Sequence, residues 1–144
     1  MLRQVLGKTL IAGTCAALSL GMAPRFTVRV SEDIAVRVCV GEAEGETLTG
    51  KTALLEAFRR RGSVRGVFGY TRDISRAPGA SWSACHEAWR RSASSNLVPG
   101  ATGWGNAKDL ARWRLASMQS AGHWWRRARV VAHIGRHWFY AIVS

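Results

Sequence analysis

Three glutamates lie at alternate positions in the segment VCVGEAEGET, which runs from Val38 to Thr47. The chain has nine acidic residues against 21 lysines and arginines, so this one segment holds a third of its carboxylates. Burial on an apolar surface raises the pKa of a glutamate, which can then donate a proton to the leaving oxygen of a glycoside. A glutamate in a solvated helix end, capped or paired with an arginine, would instead be structural.

Helical periodicity separates one of the three glutamates from the others. Ser31 is a good N-cap, and a helix that starts there places Ile34, Val38 and Glu42 at i, i+4 and i+8 on one face. Glu42 therefore lies on the apolar stripe that should face the core. Of all the acidic residues, it best meets the requirement for a buried general acid.

The neighbouring glutamates have different predicted positions. Glu44 should point to the opposite, solvent side of the helix, Gly45 should end the helix, and Glu46 should lie in the turn beyond it. A second helix is predicted to begin at Thr49 and to stop at Gly62. The patch thus contains one inward carboxylate, one solvent-side neighbour, and one turn residue that could support the cleft.

The middle of the chain alternates between loop-like and helical segments. Residues 62–80 are rich in glycine and predict a loop with one short strand. Ser81 can cap a third helix, in which Trp82, Cys85 and Trp89 form an apolar stripe.

The C-terminal part is predicted to end in a β-hairpin. Residues 94–106 have the composition of a loop, and a helix is expected over 107–119. Three residues of this helix should face inward: Leu110, Trp113 and Met118. Two apolar runs flank Gly135-Arg136, and glycine at the first central position fits a two-residue type II′ turn. We therefore expect a mainly helical α+β domain over residues 31–144 with a small hairpin.

The first 23 residues have the pattern of a secretory signal peptide. Arg3 and Lys8 precede an apolar run over residues 9–23, which is short for a membrane span but suits a signal peptide. We expect cleavage near Ala23 and export to the periplasm, the cell wall or the medium. A buried N-terminal helix and an uncleaved, releasable anchor are the alternatives, and any membrane contact would be transient and made by this segment.

Charge and hydrophobicity limit the class of protein. A 144-residue chain that is 47% hydrophobic, with seven tryptophans, can form one folded domain. A net charge of +12 favours a polyanionic partner, and nucleic acid, an anionic membrane and an anionic cell-wall polymer all fit this charge. The basic residues are dispersed, however, and an exported chain seldom meets nucleic acid, so we expect no nucleic-acid partner. An arginine-rich composition of genomic origin is an alternative explanation.

The cysteines and histidines leave a second kind of chemistry open. Cys39 and Cys85 could pair in an oxidising compartment or remain buried thiols, and we expect no essential disulfide. The order of Cys85, the segment WGNAKDLARW and His133 suggests a cysteine-dependent amidase, although a small buried core residue is the favoured interpretation of Cys85. The histidines lack metal-ligand spacing, so we expect neither a metal nor a cofactor.

Several motifs together resemble the SleB-type cell wall hydrolases, a family that includes spore-cortex-lytic enzymes and related lysins. The segment from Ile34 through EAEGETLTGKTAL resembles the family's opening motif, AFRRRG its second motif, and GVFGY an aromatic, glycine-rich loop. CHEAWRRSASSNLVPGAT and HWWRRARVVAHIGRHWFY resemble the later helix, loop and terminal hairpin. The resemblance extends to Tyr140. It departs at Arg60, where the family has asparagine, and after Thr102, where residues 103–106 read GWGN.

The resemblance implies a lysozyme-like domain that cleaves the glycan strands of peptidoglycan, with a monomer expected. Glu42 matches the family's catalytic glutamate and would act as general acid and then as general base. A lytic transglycosylase would need no second carboxylate, whereas a hydrolase would need another group, for which Glu46 and Asp73 are the nearby candidates.

The resemblance also implies which residues bind the substrate. Four aromatic residues are candidates for stacking on sugars, with core packing as the alternative: Tyr70, Trp104, Trp113 and Tyr140. Arg61 and His137 would bind substrate or fix the cleft, and Thr102 and Asn106 belong to the loop that contacts substrate in the family. A cationic wall-binding protein without turnover is the remaining alternative.

Overall fold

Local sequence signals determine most helix and strand ends in the structure, a computed structural model that describes residues 30–144. The signal-peptide prediction lies outside these residues. No helix among them is long and apolar enough to cross a membrane. In chain order the elements are α1 (Glu32–Glu42), α2 (Leu48–Arg61), α3 (Phe68–Thr71), α4 (Gly79–Ser92), β1 (Gly103–Gly105), α5 (Ala107–Gln119), a 3₁₀ helix (Trp124–Arg127), β2 (Ala128–Ile134) and β3 (His137–Ile142).

Helix α1 begins as predicted but ends earlier. The side chain of Ser31 accepts a hydrogen bond from the backbone N–H of Ile34. The predicted end at Gly45 is wrong, because Ala43 is the C-cap and Gly45 lies in the turn with φ +79°. The reason is Lys51: its buried ammonium group donates hydrogen bonds to the carbonyl oxygens of Ala43 and Glu46, which closes the chain into a turn.

Two further boundaries differ from the predictions, and one agrees with them. Helix α2 begins at Leu48 rather than Thr49, because Thr47 accepts a hydrogen bond from the N–H of Gly50 and so acts as the N-cap. It ends at Gly62, as predicted, with glycine in the left-handed region. Helix α4 begins at Gly79 rather than Ser81, since Pro78 supplies an N-cap backbone with φ −60°.

Two further segments form elements that the sequence did not predict. Residues 62–80 contain the short helix α3 and no strand. Residues 103–105, expected to be loop, form strand β1, which pairs antiparallel with β3 in a sheet of order β1-β3-β2. Glycine is needed at position 103 because a Cβ there would overlap the ring of Tyr140 on β3. The mainly helical α+β class is confirmed.

The C-terminal hairpin follows the sequence prediction. Strands β2 and β3 are joined by Gly135-Arg136, with φ +59° at the glycine and no positive φ at the arginine. This is the combination that a type II′ turn requires. Helix α5 has the predicted bounds, but the inward position of Met118 is wrong: its side chain is 77% exposed.

The core lies among helices α1, α2 and α4 and contains a disulfide. Cys39 and Cys85 are fully buried and bonded to each other, with their Cα atoms 5.8 Å apart. Of the two alternatives that the sequence left open, the structure therefore shows the paired cysteines. Helical periodicity places each cysteine on a buried face, but only the packing of α1 against α4 brings the two faces together.

A buried carboxylate fixes the long loop after α4. Glu56 is 2% exposed and accepts hydrogen bonds from Ser95 Oγ and from the backbone N–H groups of Leu97 and Val98, at 2.7–3.1 Å. Arg60 pairs with this carboxylate at 2.7 Å and also donates to the carbonyl oxygen of Val98. The arginine that departs from the family motif thus holds the loop that leads into β1.

A second buried carboxylate joins the sheet to the helices. Oε1 of Glu46 accepts hydrogen bonds from the backbone N–H of Arg136 at 2.9 Å and from its Nε at 3.1 Å. Burial alone would raise the pKa of Glu46, but the hydrogen bonds from Arg136 outweigh it and hold that pKa below its usual value. The hairpin turn is therefore anchored to the turn between α1 and α2.

The disulfide should contribute strongly to stability. Replacing both Cys39 and Cys85 with alanine should lower the free energy of unfolding by about 2–4 kcal/mol, because the bond closes a long loop in the unfolded chain. Urea unfolding of the wild type and the double variant measures the difference. As a control, a thiol assay on denatured wild type should find two additional thiols after reduction. Equal thiol counts before and after reduction would contradict the bond.

Acidification should weaken the fold in part through Glu46. Because its pKa is lowered on folding, the folded state binds fewer protons than the unfolded chain. The stabilisation is complete above the ordinary glutamate pKa of about 4.3 and is lost as the pH falls through the lower folded-state value. Urea unfolding at a series of pH values should show a smaller pH dependence in Glu46→Gln than in the wild type. An unchanged slope in Glu46→Gln would refute this role.

Candidate functional site

A cleft of about 980 Å³ separates the end of α1 and the α3 region from β1, β3 and α5. It is the larger of the two pockets described within residues 30–144. Eight of the residues that the sequence predicted for the site line it: Glu42, Arg61, Thr102, Trp104, Asn106, Trp113, His137 and Tyr140. Residues up to 98 positions apart in the chain thus meet at one surface.

Glu42 is held at the cleft by a close contact between two helices. Its Oε1 accepts a hydrogen bond of 2.6 Å from the backbone N–H of Gly69 at the start of α3. Gly41 and Gly69 allow this approach: a Cβ on Gly41 would overlap the carbonyl group of Gly69, and a Cβ on Gly69 would overlap Glu42 itself. The half-buried carboxylate is thereby fixed in one orientation with part of its surface facing the cleft.

Two other carboxylates line the cleft, and both have partners. Asp109 forms the capping box of α5 with Asn106 and pairs with Arg112 at 2.8 Å. Glu44 lies 3.5 Å from a guanidinium nitrogen of Arg72. Oε2 of Glu42, by contrast, accepts no hydrogen bond from any of residues 30–144. Among the described acidic residues of the cleft, Glu42 is therefore the one without a paired cation.

His137 lies beside this carboxylate and in front of Glu46. It is 7% exposed, and its Nδ1 is 3.4 Å from Oε1 of Glu46, too poorly aligned for a hydrogen bond. Burial lowers the pKa of His137, although the negative charges of Glu46 and Glu42 act in the opposite direction. The imidazole is therefore mainly neutral at pH 7. It can donate or accept a hydrogen bond without placing a positive charge near Glu42.

An aromatic cluster forms the far wall of the cleft. Trp113, Trp124, Trp125 and Tyr140 pack with ring centroids 5.1–5.5 Å apart. A Cβ at Gly105 would overlap the ring of Trp113, so glycine at that position of β1 is required for this packing. Burial raises the pKa of Tyr140, so its hydroxyl keeps its proton over the physiological range. Trp113, Trp124 and Tyr140 line the cleft, whereas Trp125 packs on them outside the lining. The sequence did not single out Trp124.

The cleft is cationic. Five arginines line it against three carboxylates: Arg61, Arg72, Arg112, Arg127 and Arg136. Of these, the sequence indicated only Arg61, whose guanidinium carbon is 6.0 Å from the ring centroid of Trp104. The others are scattered over the chain, and no local pattern distinguishes them from surface arginines.

Three predicted participants lie outside the cleft lining. Glu46 is buried behind His137, where it binds the hairpin turn. Tyr70 packs against the core, with the guanidinium carbon of Arg37 5.8 Å from its ring centroid. Asp73 is exposed and accepts a hydrogen bond from the N–H of Ser75. Their positions suit support of the fold rather than contact with a ligand in the cleft.

The residues of the alternative cysteine mechanism are not assembled. Cys85 is fully buried and bonded to Cys39, and a disulfide sulfur is not a thiolate nucleophile. His133 lies on β2 and stacks on Trp138, with ring centroids 4.1 Å apart. Within residues 30–144 there is no group of three or more histidine, cysteine or acidic side chains that could hold a metal ion.

No known protein family, curated protein or solved structure significantly matches the chain. The features that bear on its function are the cleft, Glu42 and the motifs that resemble cell wall hydrolases.

Proposed function

We propose that the chain is a cell wall lytic enzyme of the SleB type, which cleaves peptidoglycan between muramoyl and glucosaminyl sugars. The observation that carries the proposal is the carboxylate of Glu42, which the Gly69 N–H fixes at an aromatic and cationic cleft. Helical periodicity, the motif resemblance and the position in the cleft all favour Glu42.

Glycoside cleavage requires two successive proton transfers by Glu42. It first donates a proton to the glycosidic oxygen, so that the leaving sugar departs as an alcohol. As a carboxylate it then accepts a proton from the nucleophile. The hydrogen bond from Gly69 occupies Oε1 and orients the group, and Oε2 remains available for both proton transfers. His137 lines the same cleft. Because it is mainly neutral, it does not form an ion pair with the Glu42 carboxylate.

The partners of the other carboxylates favour a lytic transglycosylase. A retaining or inverting hydrolase uses two carboxyl groups that flank the scissile bond. Glu44 and Asp109, the other described acidic residues of the cleft, are paired with Arg72 and Arg112. In a transglycosylase the nucleophile is the C6 hydroxyl of the muramoyl sugar itself, and the product has a 1,6-anhydro ring. Glu42 alone can serve both proton transfers of that reaction.

The shape and charge of the cleft suit the polymer. A volume of about 980 Å³ accommodates several sugar residues, and the side chains of Trp104 and the aromatic wall offer surfaces for sugar rings. The five arginines attract the carboxylates of the wall by a salt-screened interaction. The proposal includes export of the protein and action as a monomer, without a cofactor, on peptidoglycan glycan strands.

Glu42→Gln should abolish most of the activity. Loss of a general acid lowers the rate by about 10²–10⁴-fold, whereas the amide preserves shape and can still accept the hydrogen bond from Gly69. Zymography on peptidoglycan and the rate of muropeptide release measure this loss, and circular dichroism checks that the variant is folded. Glu44→Gln removes another carboxylate of the same cleft and should stay near wild-type activity. Full activity in Glu42→Gln would refute the assignment, and an inactive wild type that still binds the wall would favour a non-catalytic binding protein.

The released fragments should carry 1,6-anhydromuramoyl ends. Mass spectrometry distinguishes these ends from the reducing ends of hydrolysis, because hydrolysis adds one water to each cleaved bond. Digestion of the same peptidoglycan with a hydrolytic lysozyme is the control. Reducing ends as the main product would mean that a water molecule is activated, and the single-carboxylate mechanism would then be wrong.

A further inference from the structure

A second, shallower depression opens beside the main cleft, and we call it the side shelf. It has a volume of about 590 Å³ and is lined by Asn106, Ala107, Lys108, His133, Arg136 and Trp138. Asn106 and Arg136 also line the main cleft, so the two depressions adjoin each other. A group attached to a ligand in the main cleft can therefore extend onto the side shelf.

The lining of the side shelf is largely apolar. His133 and Trp138 are directly opposite each other on β2 and β3, and their rings stack with centroids 4.1 Å apart and an interplanar angle of 11°. Ala107, at the start of α5, adds a methyl group. Such a surface binds the aliphatic and amide parts of a chain better than it binds an isolated ion.

The rim of the side shelf is cationic and holds no carboxylate. Lys108 is exposed and has no ion pair among the residues that the structure describes. Arg136 is held in place, since its Nε binds Glu46 and its Nη2 binds the carbonyl oxygen of Glu44. The adjacent Asp109 uses its carboxylate for the N–H of Asn106 and for Arg112. The charge of the rim therefore favours an anionic ligand.

These features define the chemistry of the ligand: a short amide chain that carries carboxylates and is attached to a group in the main cleft. This inference rests on the proposed function, since in peptidoglycan the muramoyl sugar bears such a chain, the stem peptide. We propose that the side shelf binds the stem peptide, with its backbone on the His133–Trp138 pair and a carboxylate at Lys108. The enzyme then prefers glycan strands that still carry stems.

Two matched substrates test this preference. They are glycan oligomers of equal length, with tetrapeptide stems and with the stems removed by an amidase. Wild type should show a kcat/KM about tenfold higher on the stem-bearing oligomer, equivalent to one well-placed ionic and packing contact. Lys108→Gln should lose most of that advantage through KM while its rate on bare strands stays unchanged. Arg114→Gln, an exposed arginine of the same helix outside both depressions, is the matched control.

A binding measurement separates this inference from the proposed function. The isolated tetrapeptide, titrated into the wild-type protein, should shift the indole N–H resonance of Trp138 in a saturable manner. Amidation of its carboxylates or the Lys108→Gln change should weaken binding by up to about fivefold. If the protein cleaves neither of the two oligomers, the proposed function is wrong. The titration would still test whether the side shelf binds the peptide. Equal kcat/KM on the two oligomers, or no shift at Trp138, would overturn the inference.

Discussion

The cleft depends on the interaction between the buried carboxylate of Glu46 and Arg136 in the hairpin turn. A charge in that position must be compensated, and the compensation comes from the hairpin turn, through the backbone N–H and the guanidinium group of Arg136. A Cβ at Gly135 would overlap the carboxylate, so the turn can approach only with glycine there. This contact joins the helical half, which carries Glu42, to the sheet, which carries His137 and Tyr140, and Phe139 of β3 packs into the same helical core.

The helical half is made rigid by covalent and polar links that do not face the cleft. The disulfide between Cys39 and Cys85 joins α1 to α4. The carboxylate of Glu56 accepts hydrogen bonds from the backbone of the loop that leads into β1. The Gly41–Gly69 contact then presents Glu42 at the surface of this rigid body. A proton donor that must meet a glycosidic oxygen within a few tenths of an ångström benefits from such fixed support.

The sequence was informative for several features with a local signal, although the predicted helix end at Gly45 and the inward position of Met118 were wrong. Ser31 as a cap, the stripe that ends at Glu42, the stop at Gly62 and the Gly135-Arg136 turn depend on residues a few positions apart, and all are present in the structure. The burial of Glu46 could not be predicted, because its partner is 90 residues away. The disulfide, strand β1 and the cleft arginines likewise depend on contacts between distant elements, for which periodicity and composition give no signal.

The proposed glycan cleavage requires that Glu42 donates the proton to the glycosidic oxygen, and chemical rescue tests this requirement most directly. Glu42→Ala should release muropeptides from purified peptidoglycan at least about 100-fold more slowly than wild type. Added formate, a small carboxylate that fits the vacated space, should restore part of the rate. No such recovery is expected in the Glu44→Ala control. A Glu42→Ala variant that releases muropeptides at the wild-type rate without formate would contradict the account.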